Sequence, residues 1–223
     1  MPVEPILIID SKERWLPVPV EDSLALYGYT WEGTSWQRDG KPVDRIDFPS
    51  GMVPDDFSEL PVVGYHRVRA AGKVYWHQFW TWWPYNPKNY PPTKRGVGEH
   101  EGDWEMIQLG CKDEAGEEPV LASYSQHGGG ERKHYWDVEL SDGKKGQPLV
   151  YVGRDSHANY FNTVRNVTDS ADGNGKRLDP EWREFKPWAQ WKGQWGNSAN
   201  SPGALSTRRV WSAPHAWHSQ ARG

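Results

Sequence analysis

The aromatic run KVYWHQFWTWW, residues 73–83, constrains the fold of this chain more than any other stretch. Successive side chains of a strand point to opposite faces, so the run divides into two sets. One face would carry Val74, Trp76, Gln78, Trp80 and Trp82, and the other Tyr75, His77, Phe79, Thr81 and Trp83. Because both sets are bulky, the run predicts a central β-strand that protein covers on both sides.

Six further runs have the composition of strands. Each is rich in β-branched or aromatic residues and is bounded by Gly, Pro, Asp or Asn. They are PILIID (5–10), YHRVRA (65–70), DWEMIQLG (103–110), PVLASYSQ (119–126), YWDVEL (135–140) and PLVYVG (148–153). RAAGKV, before the aromatic run, predicts a tight hairpin. The spacing of the runs predicts a mainly β fold, an antiparallel β-sandwich with long loops and one or two short helices, in a single domain over residues 1–223.

Two stretches have helix signals. The first is EDSLALYGY, residues 21–29, and the second is DPEWREFKPWAQWKGQW, residues 179–195. In the second, Asp179 is the expected N-cap and Pro180 fits the first turn. Pro187 must interrupt this helix, because proline has no N–H to donate.

Composition excludes several classes of function. The net charge is -4 and no block of Lys or Arg is longer than two residues, so nucleic acid is not the expected partner. The single cysteine, Cys111, excludes an internal disulfide and a thiolate zinc site. No apolar run approaches the ~20 residues that span a bilayer, and MPVEPILIID lacks the basic start of a secretion signal. We therefore expect a cytoplasmic protein without a transmembrane segment.

The stretch GEHEGDWE places several ionisable side chains at the start of an apolar run. In a strand, Asp103 and Glu105 fall on one face, and His100, in the glycine-rich approach, can fold back over them. Two crowded carboxylates repel unless a proton or a cation lies between them. This donor set suits Mg, Ca or Mn better than Zn. A solvated loop end without a function is the alternative.

Two more blocks carry candidate catalytic residues. SQHGGGE contains His127, followed by Gly128 and Gly129, whose amides could bind an anion or a substrate oxygen. GRDSHANYF contains His157, a possible general base or metal ligand, with Asp155 as a residue that could orient its ring. Turn or buried structural histidines are the alternatives. The chain has no Gly-x-Ser-x-Gly sequence, which excludes an α/β-hydrolase.

Surplus aromatic residues follow the long strand in WWPYNPKNYPP, residues 82–92. Trp83 and Tyr85 could form a stacking floor for a sugar ring, a lipid headgroup or another planar substrate. Burial in the core is the alternative for both.

Five blocks resemble the vacuolar-protein-sorting-62-like (Vps62) family. They are PILIIDSKERWLPVPVE, GEHEGDWEMIQL, SYSQHGGGE, PLVYVGRDSHANYF and KPWAQWKGQWGNS, the last followed by SPGAL. The His100-x-x-Asp103-Trp104-Glu105 core is also similar to the heptapeptide of necrosis- and ethylene-inducing-like proteins, secreted β-sandwich cytolysins. That resemblance implies a divalent cation at His100, Asp103 and Glu105. The chain departs from the heptapeptide at Glu101 and Gly102, where the cytolysins have basic residues.

Three hypotheses of function follow. The first is a metal-dependent intracellular enzyme of hydrolase or lyase type, in which the cation acts as a Lewis acid and His127 or His157 moves the proton. The second is a cation-dependent module that binds a glycan or a lipid headgroup. The third is a structural metal that fixes the loop before Asp103 to the sheet. The expected partner is a small molecule, a glycan or a headgroup.

Overall fold

The computed structural model of the chain describes residues 2–48, 57–87, 100–126, 129–143, 146–166 and 169–196, with only backbone placement for His100 and Gly129. Its elements in chain order are β1 (Ile6–Ile9), α1 (Val20–Ala25), β2 (Tyr29–Glu32), β3 (Ser35–Arg38), β4 (Lys41–Pro42), β5 (Arg45–Ile46), β6 (Val63–Ala71), β7 (Val74–Asn86), β8 (His100–Cys111), β9 (Pro119–Gln126), β10 (Gly129–His134), β11 (Leu149–Val152), β12 (Asn159–Tyr160), β13 (Val164–Arg165), β14 (Ser170–Ala171), β15 (Arg177–Leu178), β16 (Glu181–Glu184) and β17 (Gln194–Trp195). Two short 3-10 helices span Tyr135–Asp137 and Pro187–Gln190.

A six-stranded sheet in the order β10-β9-β8-β7-β6-β16 forms the centre of the fold. The long aromatic run is β7, which pairs with β6 on one side and β8 on the other. Ala71 pairs with Val74 across the turn, which confirms the predicted hairpin, and Gly72 takes the φ of +64° that the turn requires.

A second sheet of four strands, in the order β12-β11-β1-β15, lies against β9. The rings of Tyr124 on β9 and Phe161 after β12 stack with centroids 3.8 Å apart. The Tyr124 hydroxyl donates to the carbonyl oxygen of Leu149 at 3.2 Å. The mainly β sandwich predicted from the sequence is therefore confirmed, with one correction. The pairs β1–β11 and β6–β16 are parallel, so neither sheet is purely antiparallel.

Aromatic residues fill the opposite face of the six-stranded sheet. The ring of Trp104 on β8 lies 5.1 Å from Trp82, 6.0 Å from Trp188 and 5.6 Å from Trp195, measured between centroids. The indole N–H of Trp82 donates to the Ser23 hydroxyl of α1 at 3.0 Å. Strand β7 is thus covered on both faces, as its two bulky sets predict. Smaller ladders, β2-β3-β4, β5-β17 and β13-β14, complete the described part of the chain.

Two local predictions are wrong. Residues 179–195 form β16, a 3-10 helix and β17 in place of a helix interrupted at Pro187. Pairing with β6 outweighs the capping signals here, because Trp182 packs edge-on against Phe79 at 5.0 Å and over Gly64. YWDVEL begins with a 3-10 helix, and the strand at this point is the preceding segment, β10.

The helix predicted at residues 21–29 exists but is shorter. It spans Val20–Ala25, and Gly28 follows with a φ of +77°. No helix in the described ranges has the length and apolar character that crossing a bilayer would require.

Candidate functional site

Strand β8 carries the two carboxylates predicted to share a face. Asp103 pairs with Trp83 and Glu105 with Thr81, in an unbroken register that confirms the strand from Asp103 onward. Asp103 is 6% exposed and Glu105 is 5% exposed, so neither points to bulk solvent. The two acids therefore lie within the protein in the first half of β8, which begins at His100, three residues before the predicted start of the strand.

Gly102 shapes the approach to Asp103. Its φ is +67°, and a Cβ at this position would lie 2.6 Å from the Trp82 ring and 3.0 Å from the carbonyl oxygen of Trp195. A side chain here would meet both backbone strain and a steric clash. The glycine before the acid is thus explained by local geometry.

His157 reaches the same place from the loop after β11. Its backbone has a φ of 52°, its side chain is fully buried, and its Nδ1 lies 3.0 Å from Oδ2 of Asp103. The imidazole stacks on the ring of Trp83, with centroids 4.2 Å apart and an angle of 4° between the planes. The amide of Asn86 also donates to Oδ2 of Asp103 at 3.4 Å. The structure therefore brings two separately predicted blocks together.

Glu105 lies in a different environment from Asp103. The Ser125 hydroxyl donates to its Oε2, and this hydroxyl oxygen accepts from the Met106 amide at 2.8 Å. Burial raises the pKa of Glu105 well above its usual value of 4.5, the negative charges of Asp103 and Asp169 raise it further, and the Ser125 hydrogen bond opposes the shift. Without a cation, burial and the neighbouring acids therefore favour the protonated form of Glu105.

Glu13 is a site residue that the sequence reasoning did not identify. Its enclosed side chain places Oε2 3.9 Å from Nε2 of His157. Its carboxylate also accepts from the backbone amides of Arg14 and Trp15 at 2.8 Å each, and from that of Asp155. The only indication of Glu13 in the sequence is that it lies in SKERW, within the block PILIIDSKERWLPVPVE that resembles the Vps62 family.

The other predicted catalytic residues have less definite positions. Asp103, rather than Asp155, holds the His157 ring; the Asp155 carboxylate lies 3.5 Å from Nε of Arg154. His127 and Gly128 lie outside the described residues, and Gly129 is described only as the first residue of β10, paired with Gln126. These catalytic and substrate assignments stay predictions.

The structure contradicts part of the predicted aromatic stacking floor. Trp83 is fully buried against His157, so its ring has no free face for a ligand, whereas Tyr85 is half-buried and packs on Trp15 at 5.4 Å.

The predicted metal site includes His100, whose side chain lies outside the described residues. Among the side chains that are described, no three of His, Cys, Asp or Glu form a group able to hold a metal ion. The three-residue metal site therefore stays a prediction.

Comparison with known proteins supports the family resemblance. The family model described as vacuolar protein sorting-associated protein 62 (Vps62) matches residues 79–181. This segment contains Asp103, Glu105 and His157 and confirms the resemblance predicted from the sequence over these residues. None of the curated proteins compared with the chain gives a significant match.

Solved structures give distant matches. A triple mutant of NLPPya has 16% identity and a TM-score of 0.48, over 99% of this chain and 87% of the other. Necrosis and Ethylene inducing Protein 2, from the causal agent of cocoa's Witches Broom disease, has 14% identity and a TM-score of 0.46, over 98% and 81%. NLPPya in complex with mannosamine has 16% identity and a TM-score of 0.42, over 76% and 68%.

Proposed function

We propose that this chain is a cation-dependent binding module for an oxygen-rich ligand, a glycan or a lipid headgroup, in which Asp103 and Glu105 hold a divalent cation. One observation carries the proposal: two carboxylates on one face of β8 are both buried, and the charge of Asp103 helps to raise the pKa of Glu105. A divalent cation would replace the proton of Glu105 and remove the repulsion between the two acids.

The donors fit a hard cation. Asp103 and Glu105 offer carboxylate oxygens, the ligands that Mg, Ca and Mn prefer, and the described side chains around them include no thiolate. His100 would complete the set that the similarity to the heptapeptide of the necrosis- and ethylene-inducing-like proteins implies. The bound cation would supply a positive charge and open coordination positions for hydroxyl or phosphate oxygens of a ligand.

His157 supports binding more than catalysis. A general base must come within hydrogen-bond reach of the substrate. The His157 side chain is fully buried between Trp83 and Asp103, and its Nε2 faces Glu13. It can hold Asp103 in place, but this position offers no path to an external substrate. The hydrolase or lyase reaction considered from the sequence stays a prediction that depends on His127.

Isothermal titration with Ca²⁺, Mg²⁺ and Mn²⁺ tests the cation centre. We expect wild-type protein to bind at least one of these ions, and Asp103→Asn and Glu105→Gln to weaken binding by at least about tenfold. Glu184→Gln, which neutralises an exposed acid on β16, is the matched control and should bind normally. Absence of binding by wild type, or equal binding by all four proteins, would contradict the proposal.

Ligand retention then distinguishes binding from a structural role. The probes are mannosamine and glucosamine, the sugars held by NLPPya in its solved complexes, and phospholipid vesicles. The binding module predicts retention that EDTA abolishes and that Asp103→Asn removes. A structural metal predicts only a lower melting temperature in EDTA, with no cation-dependent retention of any probe.

A further inference from the structure

A cleft of about 450 Å³ has Glu13 in its lining. Its walls come from residues 9–11 and 13–16, residues 57–58 and residues 174–176. Three segments that are far apart in sequence therefore meet around one opening. Glu13 is common to this cleft and to the carboxylate site, because it lines the cleft while its Oε2 lies 3.9 Å from Nε2 of His157.

The floor of the cleft is aromatic. Trp15 and Phe57 both line it, and their rings are held at a centroid distance of 5.6 Å and an angle of 51°. Tyr85 packs on the same indole at 5.4 Å, which fixes Trp15 from a second direction. The floor is a rigid apolar surface rather than a set of mobile side chains.

The acids of the cleft are already satisfied within the protein. Asp10 is 2% exposed and accepts from the Lys12 amide at 3.0 Å, the Ser170 hydroxyl at 2.7 Å and the Asp172 amide at 3.1 Å. Glu13 accepts from three backbone amides. Both carboxylates are therefore held by donors of the protein, and within the described residues neither forms an ion pair with the cations at the rim.

Those cations are Arg14 and Lys176. Both line the cleft and both are exposed, and neither forms an ion pair with any acid in the part of the chain that the structure describes. An arginine and a lysine without carboxylate partners, above an apolar floor, form a surface complementary to a tetrahedral oxyanion on an apolar or planar carrier.

We propose that this cleft binds a phosphate-bearing ligand. Arg14 and Lys176 contact the phosphate oxygens, and Trp15 and Phe57 pack against the carrier. The site shares Glu13 with the carboxylate site, but its existence does not require a metal at Asp103 and Glu105. The phosphate belongs either to a soluble phosphate ester or to a phospholipid headgroup, which present the same group to the two cations.

The test compares two double variants that lose the same formal charge. Arg14→Gln/Lys176→Gln removes the two rim cations. Lys12→Gln/Arg177→Gln removes two exposed basic residues that are close in sequence but do not line the cleft. Inorganic phosphate and glycerol 3-phosphate are titrated into ¹⁵N-labelled protein at constant ionic strength. We expect amide shifts at residues 11–15 and 174–176, an affinity reduced about tenfold in the rim variant, and an affinity within about twofold of wild type in the control.

Vesicles distinguish the two sources of phosphate. Phosphatidylcholine vesicles with phosphatidic acid, but not those without it, should retain wild type and not the rim variant if the ligand is a headgroup. Binding of glycerol 3-phosphate without vesicle retention assigns a soluble ester. Equal weakening in both double variants would show that phosphate responds only to general surface charge and would overturn the proposal. So would the absence of amide shifts in wild type up to about 10 mM of either probe.

Discussion

Substitution of Glu105 by Gln should remove a pH dependence from the stability of the cation-free protein. Burial, and then the charges of Asp103 and Asp169, raise the pKa of Glu105 well above its usual 4.5. A carboxyl with a higher pKa in the folded chain stabilises fully below its unfolded pKa and loses this contribution as the pH rises through its folded pKa. In EDTA, wild type should therefore lose stability relative to Glu105→Gln as the pH rises above about 4.5.

The magnitude follows from the single proton involved. The difference in free energy of unfolding between the two proteins should change by about 1.4 kcal/mol per pH unit between the unfolded and the folded pKa of Glu105. Glutamine keeps the size of the side chain and an oxygen that can accept from Ser125.

His66 also contributes a pH dependence to stability. Burial and His77 lower its pKa to about 4, which makes stability fall as the pH drops below about 6.5. Because His66 is present in both proteins, its effect cancels in the difference.

Urea unfolding in EDTA at intervals from about pH 4 to pH 8, followed by circular dichroism, measures this difference. Saturating Ca²⁺ should stabilise wild type increasingly as the pH rises, because the cation binds the ionised carboxylate, and should not do so for the variant. Parallel curves for wild type and Glu105→Gln in EDTA would refute the reasoning, since they would mean that Glu105 ionises alike in the folded and unfolded chains.

Two further predictions concern glycines. Gly102→Ala should destabilise the protein by about 2–4 kcal/mol, because strain at a φ of +67° adds to a contact of 2.6 Å with Trp82. The control is Gly40→Ala, which should cost only about 1 kcal/mol because Gly40 has a φ of +69° and open space around it. Equal melting temperatures of the two variants would contradict this prediction. Gly64→Ala should lower the free energy of unfolding by about 1–3 kcal/mol, because its Cβ would lie 2.2 Å from the Trp182 ring. Adding Trp182→Leu should recover part of this loss, which a double-mutant cycle measures. Strictly additive effects would mean that Trp182 does not pack over residue 64.

The sequence predicted the main strands well, because the alternation of side chains that marks a strand can be seen within a few neighbouring residues. Alternation of bulky residues identified β7, and the placement of Asp103 and Glu105 on one face needed only the two-residue period of a strand. The helix prediction for residues 179–195 was wrong because the structure of this segment depends on a distant part of the chain. Its capping residues favour a helix, but pairing of β16 with β6 depends on a glycine at position 64, more than 100 residues away, that leaves room for Trp182.

The site was predictable only in part for the same reason. The sequence selected His157 and Asp103 separately, but nothing local places an imidazole 3.0 Å from a carboxylate 54 residues away. Glu13 is more extreme, because the amide of Asp155 that it accepts from is 142 residues distant. A lone glutamate near the start of a chain carries no periodicity, and its local contacts with the Arg14 and Trp15 amides leave no mark in the sequence, so only the distant contacts of the folded chain identify it.

The hydrogen bonds of these acids indicate where a cation would gain most. Glu13 accepts from three backbone amides, and Asp169 accepts from the Ser156 hydroxyl at 2.7 Å. Asp103 has an imidazole at 3.0 Å. Glu105 has a hydroxyl as its donor, and burial together with two neighbouring acids opposes its ionisation. A carboxylate whose charge amides or an imidazole already stabilise gains less from a bound ion than one whose ionisation burial and neighbouring acids oppose. The free energy of cation binding should therefore come chiefly from Glu105, with Asp103 as its neighbour on the same face, and Glu13 should remain a residue that positions His157.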